Sequence, residues 1–221
     1  MQGRIELIIF DLQGTLVDNK IDFVSMKREI IKLLIKKYGL NIDEELFLRR
    51  RVVEILEYAK DNVDDKTYNT IFQEISQIAD KYEIDAAINS KLKADVKDVL
   101  KALRRKNYKI AILTNDGRKS TEIILNRFGL KEFFDCIVTR DDINTLKPDP
   151  LGIERILERI KVDKQNVIFI GDSIIDIQAA KNARIRGWGI SGGYSTKDLL
   201  IKEGAEVVLN DLKDILQVVD P

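Results

Sequence analysis

An apolar run close to the N-terminus, residues 5–10, ends abruptly at the carboxylate of Asp11, and Gly14 follows three positions later. Near-continuous apolar runs of this kind are typical of strands that are buried on both faces of a parallel sheet. A buried carboxylate is costly without a partner, and the carboxyl edge of an open α/β sheet is where ligands bind. Taken alone, Asp11 also fits a turn or a helix cap. The residues that follow other apolar runs favour a ligand site.

The pattern becomes helical after Val17 and remains so up to Lys91, with no strand-like run between them. Asp22 fits a helix N-cap and Gly39 a helix stop. We therefore predict a compact helical insertion at residues 18–91 whose apolar stripes pack against one another. Its three helices are marked by apolar residues at helical spacing from Phe23 to Tyr38, from Leu48 to Ala59, and from Tyr68 to Tyr82.

Short apolar runs alternate with amphipathic helical stretches in the remainder of the chain. The first of these helices is predicted from Leu92 to Leu103, with Asn107 as its left-handed stop. Alternation of this kind predicts a doubly wound parallel sheet. The expected architecture is an α/β core, residues 1–17 and 92–221, interrupted by the helical insertion. The later strands are predicted at residues 109–113, 136–139, 166–170, 188–190 and 206–209.

Composition excludes several classes of protein. The 37 basic and 37 acidic residues balance, which gives no reason to expect a nucleic acid or an anionic membrane as partner. Cys136 is the single cysteine, so no internal disulfide forms and a cytoplasmic location is expected. No basic segment precedes a long apolar stretch, as a signal peptide or membrane anchor would require. Histidine is absent, which excludes Ser-His and Cys-His nucleophile pairs.

Polar groups with complementary chemistry follow the predicted strands and should converge on one crevice of the sheet. Mg²⁺ takes one or two carboxylates together with water and phosphate oxygens. An amine, a hydroxyl and the backbone N–H groups of helix N-termini bind phosphate, which leaves one carboxylate free to act as a nucleophile. These groups are Asp11, Thr114, Asn115, Lys147, Asp172 and Asp176.

The order of these motifs resembles that of the haloacid dehalogenase superfamily along the whole chain. Residues 11–16 (DLQGTL) are similar to the first family motif, and Thr114-Asn115 to the second. Lys147 is similar to the third motif and residues 171–176 (GDSIID) to the fourth. The helical insertion looks like the family's cap. Residues 110–115 and 171–193 look most like relatives of phosphoglycolate phosphatase.

This resemblance implies a Mg²⁺-dependent phosphomonoesterase that acts on a small phosphorylated metabolite, as a monomer or homodimer. An aspartyl phosphate would form on Asp11, under a cap that excludes unneeded water. The resemblance implies catalytic roles for Asp11, Gln13 and Lys147, and phosphate binding by Gly14, Thr114, Asn115 and Lys147. It implies metal binding by Asp11, Asp172, Asp176 and the backbone carbonyl of Gln13.

Gln13 departs from the phosphatase pattern. Phosphatases of this family carry a second Asp two residues after the nucleophile, and that Asp protonates the leaving group and activates water. An amide cannot transfer a proton, and general acid–base help contributes ~10²–10⁴-fold to a rate. We therefore expect phosphate and metal binding to persist while turnover is weakened.

The sequence leaves three alternatives open. The chain fits a phosphatase, a phosphometabolite- and Mg²⁺-binding protein with negligible turnover, or an enzyme of phosphonates or carbon–halogen bonds. Asp176 fits either an outer ligand of the metal or a partner of Lys147. Arg49-Arg50-Arg51 fits either a contact with a second anion on the substrate or a solvated helix face.

Overall fold

The apolar run before Asp11 is a middle strand of a six-stranded parallel sheet. A computed structural model describes residues 4–18 and 20–219. The strands of these residues are β1 Leu7–Phe10, β2 Val17–Asp18, β3 Lys91–Leu92, β4 Lys109–Leu113, β5 Cys136–Val138, β6 Val167–Gly171, β7 Arg186–Ile190 and β8 Val207–Leu209. The large sheet has the order β5-β4-β1-β6-β7-β8, and all its pairs are parallel.

Helices cover both faces of this sheet, as the alternating pattern predicts. Residues of α5, α6 and α10 pack on one face, and residues of α7 and α8 pack on the other. The helices are α1 Phe23–Tyr38, α2 Glu44–Leu48, α3 Val52–Asn62, α4 Asp65–Ile88, α5 Val96–Arg105, α6 Arg118–Phe128, α7 Leu151–Ile160, α8 Ile174–Ala183, α9 Lys197–Glu203 and α10 Ile215–Val218. None of the helices in residues 4–18 and 20–219 has the length and apolar character needed to cross a bilayer.

Burial of β1 on both faces explains its uniform apolar sequence. Ile8 and Phe10 belong to the apolar cluster on one face of the sheet, and Leu7 and Ile9 belong to the cluster on the other. All four side chains are fully buried. Because side chains alternate across a strand, a strand covered on both faces needs apolar residues at every position. The predicted buried strand and doubly wound sheet are confirmed.

The helices between β2 and β3, called here the inserted helices (α1–α4), form an apolar cluster of their own. β2 and β3 pair antiparallel, with Val17 opposite Leu92, so the two connections to the inserted helices run side by side. Asp22 caps α1 by accepting a hydrogen bond from the Ser25 N–H at 3.0 Å, and Gly39 ends it at a φ of 65°. The predicted helical insertion is confirmed as an element of the fold.

Two predicted helices have different limits in the structure. The helix predicted from Leu48 to Ala59 is two helices, α2 and α3, because Arg51 is extended and its N–H donates to Glu54 at 2.7 Å. The helix predicted from Leu92 begins only at Val96, because Leu92 pairs in β3 and Asp95 is left-handed, at a φ of 60°. These local turns leave the apolar spacing intact, so periodicity does not reveal them.

Candidate active site

Three buried carboxylates meet at the carboxyl ends of β1 and β6. These strands are neighbours, with Phe10 opposite Ile170, so Asp11 and Asp172 leave the sheet side by side. Asp176 lies in the first turn of α8, where it accepts a hydrogen bond from the Ser173 N–H at 3.0 Å. Each of Asp11, Asp172 and Asp176 offers one oxygen within 4.8 Å of the others.

Lys147 is the cation that contacts this cluster. Its Nζ donates to Asp11 Oδ1 at 2.5 Å and to Asp176 Oδ1 at 2.7 Å. Burial alone would lower the pKa of Lys147, but the charges of Asp11 and Asp176 outweigh burial and raise it, so the ammonium stays charged. Of the two roles open for Asp176, the contact with Lys147 is present. One ammonium against three carboxylates leaves an excess of negative charge.

Asp11 and Asp172 are consequently hard to ionise in the absence of a metal. Burial raises the pKa of Asp11 well above its usual range; Lys147 opposes this rise, and Asp176 and Asp172 add to it. Burial, followed by the charge of Asp176, raises the pKa of Asp172 to about 6. A divalent cation would relieve this repulsion, and carboxylate oxygens are the ligands that Mg²⁺ prefers.

Two glycines give the Asp172 carboxylate its space. Gly14 has a φ of +74°, and a Cβ there would lie 2.2 Å from Asp172 Oδ2. A Cβ at Gly193 would lie 2.0 Å from the same oxygen. The next residue, Tyr194, donates its N–H to Asp172 Oδ2 at 2.6 Å. The backbone is therefore shaped around a carboxylate, and the donor set fits a magnesium ion.

The groups predicted to bind phosphate lie beside the carboxylates. Thr114 Oγ1 accepts a hydrogen bond from the Asp116 N–H at 3.1 Å, which leaves the hydroxyl hydrogen to be donated elsewhere. Asn115 Oδ1 accepts from the Lys147 N–H at 2.8 Å and so fixes the backbone that carries the amine. Gly14 packs against Asp172, and its contact with phosphate stays a prediction. A cavity of about 510 Å³ is lined by Asp11, Gln13, Thr114, Asn115, Lys147, Asp172 and Asp176, among others.

Gln13 contacts a carboxylate that sequence reasoning missed. Its Nε2 donates to Oδ2 of Asp116, and both side chains are buried and line the cavity. Burial, with the charge of Glu83 in second place, raises the pKa of Asp116 to about 7, and the Gln13 amide opposes this rise. The sequence does hold one signal for Asp116, which is its position two residues after Thr114 in the loop that follows β4.

Arg140 and Glu83 form a second contact that sequence reasoning missed. Both are buried, and Arg140 Nη1 lies 2.6 Å from Glu83 Oε1. The same Nη1 donates to the Asn115 carbonyl at 3.0 Å, and Glu83 Oε2 accepts from the Gly117 N–H at 2.8 Å. Because Glu83 belongs to α4, this pair joins the inserted helices to the loop at residues 114–117. No periodic pattern marks such a long-range pair.

The raised carboxyl pKa values predict how stability changes with pH once a chelator removes divalent metal. The pKa values of Asp172 (about 6) and Asp116 (about 7) exceed the value of ~3.9 for an unfolded aspartate. Between these limits the folded state binds more protons than the unfolded state, so the free energy of unfolding should fall as pH rises. Urea unfolding in EDTA from about pH 5 to about pH 7.5 measures this. The Asp116→Asn variant should decline less, and a free energy that increases over this window would contradict the prediction.

Known proteins resemble this chain along almost its full length. Pyrophosphatase PpaX of Listeria monocytogenes is 27% identical over 227 residues, covering 99% of this chain and 98% of that protein. Phosphoglycolate phosphatase of Pseudomonas putida is 27% identical over 218 residues, covering 95% and 78%. The crystal structure of a hydrolase from Pseudomonas syringae superposes with a TM-score of 0.70 at 25% identity, covering 97% and 98%. The family profile of the haloacid dehalogenase-like hydrolases matches residues 8–190, and the chain therefore belongs to that family.

Proposed function

We propose that this protein is a Mg²⁺-dependent phosphatase that hydrolyses a small phosphate monoester through an aspartyl phosphate on Asp11. The observation that carries the proposal is the group of three buried carboxylates around the Lys147 ammonium at the carboxyl edge of the sheet. The site has an excess of negative charge until a cation binds, and it holds a fixed amine and a hydroxyl beside the candidate nucleophile. Relatives that act as a pyrophosphatase and a phosphoglycolate phosphatase support the same chemistry.

Asp11, Asp172 and Asp176, with the backbone carbonyl of Gln13, would hold Mg²⁺, which when bound offsets the charge of the phosphoryl oxygens. One oxygen of Asp11 attacks phosphorus, and the bond from phosphorus to the ester oxygen breaks. Lys147 and the Thr114 hydroxyl donate hydrogen bonds to the phosphoryl oxygens. Water then attacks the aspartyl phosphate, which releases phosphate and regenerates Asp11.

Gln13 limits the two steps that need a proton. The leaving alkoxide must gain a proton, and the attacking water must lose one, but the Gln13 amide does neither. Its Nε2 already donates a hydrogen bond to Asp116. Phosphoryl transfer to Asp11 should therefore be fast only for esters whose leaving group needs no proton, and hydrolysis of the intermediate should be slow.

The inserted helices complete the site as a cap. We assign residues 18–91 to the cap and residues 1–17 and 92–221 to the catalytic core. α1, α3 and α4 contribute Met26, Leu56, Ile75 and Ala79 to the wall of the cavity that holds Asp11. A cavity of this size suits a small phosphorylated metabolite as the substrate. Either a monomer or a homodimer is compatible with it.

A stopped-flow time course of p-nitrophenol release from p-nitrophenyl phosphate tests the proposal. With Mg²⁺ we expect a burst near one equivalent of enzyme and then a slow steady phase, because p-nitrophenolate leaves without a proton while the aspartyl phosphate waits for hydrolysis. EDTA should abolish both phases. Release that EDTA does not affect would contradict the metal-dependent mechanism.

A second candidate is a protein that binds phosphometabolites and Mg²⁺ with negligible turnover. Gln13 favours it, because the group that would transfer protons is an amide. No p-nitrophenol release with Mg²⁺, combined with calorimetric binding of Mg²⁺ and inorganic phosphate, would support this candidate over the phosphatase.

A further inference from the structure

The cavity over Asp11 is larger than a phosphoryl group requires. Its volume of about 510 Å³ lies within the range of about 300–1,000 Å³ that holds drug-sized ligands. The part formed by the inserted helices is mainly apolar, with Phe23 and Met26 from α1 and Val52 and Leu56 from α3. A substrate that fills it therefore has an apolar body beyond its phosphate.

The charged residues that line this cavity fall into two groups. The carboxylates of the lining lie after β1, β4 and β6 and on α4 and α8, and they are Asp11, Glu83, Asp116, Asp172 and Asp176. Arg140 and Lys147 also line this part and are paired with Glu83, Asp11 and Asp176. The charged residues that α1 and the segment between α2 and α3 contribute are all basic, and they are Lys27, Arg49, Arg50 and Arg51. Apart from the reacting phosphate, an anionic group on the substrate is repelled by the carboxylates of the first group and attracted by the basic residues of the second.

The segment Arg49–Arg51 is held in place by specific contacts. Lys27 Nζ donates to the carbonyl oxygens of Leu48 and, at 3.1 Å, of Arg50. The Arg50 guanidinium stacks over the Phe47 ring, with its carbon 4.4 Å from the ring centroid. Phe47 is itself buried in the apolar cluster of the inserted helices. The position of this segment above the cavity is therefore fixed by packing.

Among the described residues, Arg49 and Arg50 keep their guanidinium N–H groups available for a ligand, since Arg50 contacts Phe47 only through the face of its guanidinium. Lys27 donates hydrogen bonds to the two carbonyl oxygens, and Arg51 forms an ion pair with Glu54 at 2.8 Å. Within residues 4–18 and 20–219, no carboxylate lies in ion-pair distance of Arg49 or Arg50. Guanidinium groups bind carboxylate and phosphate in a bidentate manner, so these two side chains form a suitable anion site.

We propose that the substrate is a phosphate monoester with an apolar body and a second anionic group at its far end, which Arg49 and Arg50 bind. The inference rests on the proposed phosphatase function and adds the substrate class to it. The reacting phosphate lies at Asp11, the apolar body contacts α1 and α3, and the second anion, a carboxylate or a phosphate, lies at the arginines.

Phenyl phosphates that differ only at the end of a para side chain test this inference. The chain ends in a carboxylate, a phosphonate or an uncharged amide, and a two-carbon spacer keeps the leaving phenol equivalent in all three. We expect kcat/KM for the carboxylate or the phosphonate to exceed that for the amide by about tenfold to hundredfold, as hydrogen bonds to charged groups imply. The preferred anion tells a carboxylate substrate from a bisphosphate.

Matched variants assign the effect to the two arginines. Arg49→Gln and Arg50→Gln should each reduce the ratio of charged to uncharged substrate, and the double variant should bring it close to one. Lys60→Gln removes one positive charge from the neighbouring helix α3, but Lys60 is exposed and does not line the cavity, so the wild-type ratio should remain. This control separates local binding from long-range attraction.

The possible failures are distinguishable. A wild-type ratio near one, with p-nitrophenyl phosphate still hydrolysed, overturns the second-anion inference and leaves the phosphatase proposal standing. A high ratio that survives the Arg49→Gln, Arg50→Gln double variant also overturns it, because the anion then binds elsewhere. Failure to release any phenol, from p-nitrophenyl phosphate or from the series, overturns the proposed function itself.

Discussion

Replacing Gln13 by Asp should raise steady-state turnover by about 10²–10⁴-fold, which is the usual contribution of general acid–base catalysis. The side chain at position 13 is buried and lines the cavity next to Asp11. A carboxyl group there can protonate the leaving alkoxide and then take a proton from the attacking water. The gain should be larger for an alkyl phosphate than for p-nitrophenyl phosphate, because the alkoxide leaves poorly without a proton. Steady-state kcat for both esters measures it.

Asp116 complicates this substitution in a predictable way. The Gln13 amide donates to Asp116, so the new carboxyl group would face a buried acid with a pKa of about 7. Two acids in contact cannot both ionise easily, and the pKa of one of them rises. The rate of the Gln13→Asp variant should therefore depend on pH near neutrality, and adding Asp116→Asn should move that dependence to lower pH.

Asp116 is the alternative group for proton transfer, and two variants together test it. Unchanged turnover in Gln13→Asp, together with loss of turnover in the single variant Asp116→Asn, would assign proton transfer in the natural chain to Asp116. The stability of each variant, measured by urea unfolding, must stay close to wild type for this comparison to hold.

Replacing Asp11 by Asn should lower single-turnover release of p-nitrophenol by about 10⁴-fold or more, a loss of the order seen when a covalent nucleophile is removed. The same substitution should stabilise the protein in the presence of EDTA. Burial raises the pKa of Asp11, so its charged form opposes folding at neutral pH, and a neutral amide of the same shape removes that cost. Lys147 keeps its contact with Asp176 at 2.7 Å.

Asp18→Asn is the matched control for Asp11→Asn, which should lower activity and raise stability. Asp18 is exposed and lies 3.6 Å from Lys93, so removing its charge should change stability by no more than ~0.5 kcal/mol. Rapid-mixing kinetics and urea unfolding in EDTA check both variants. A burst that persists in Asp11→Asn would show that Asp11 is not the nucleophile, and a loss of stability would show that Lys147 depends on it.

The fold was predictable where burial controls sequence. β1 and β6 are covered on both faces, so their residues are apolar at every position and their ends are marked by Asp11 and Asp172. The break between α2 and α3 was not predictable, because Leu48 and Val52 keep the spacing of one continuous helix. The groups that hold the chain in the break include Lys27, which is distant in sequence and contacts the segment because α1 packs beside it.

The residues of the candidate site also divide into those that the sequence predicted and those that it did not. Asp11 and Asp172 directly follow strands and Asp176 lies in the first turn of α8, and a parallel sheet brings such boundaries to one edge. Lys147 lies in the loop between β5 and α7. Asp116 and Glu83 gain their importance from partners far away in the chain, Gln13 and Arg140. Such pairs follow from tertiary packing and leave no mark on periodicity or spacing.

α4 limits how the substrate selectivity of this enzyme can change by mutation, because it contacts both the cavity and the catalytic loop. This single helix, Asp65–Ile88, supplies Ile75 and Ala79 to the cavity wall, and its Glu83 bonds the loop at residues 114–117. A substitution that shifts α4 would alter selectivity and disturb the chemical groups together. The segment between α2 and α3 has no hydrogen bond to that loop among the described residues. Divergence towards new substrates, in nature or in a directed library, therefore has its least costly route through Arg49–Arg51.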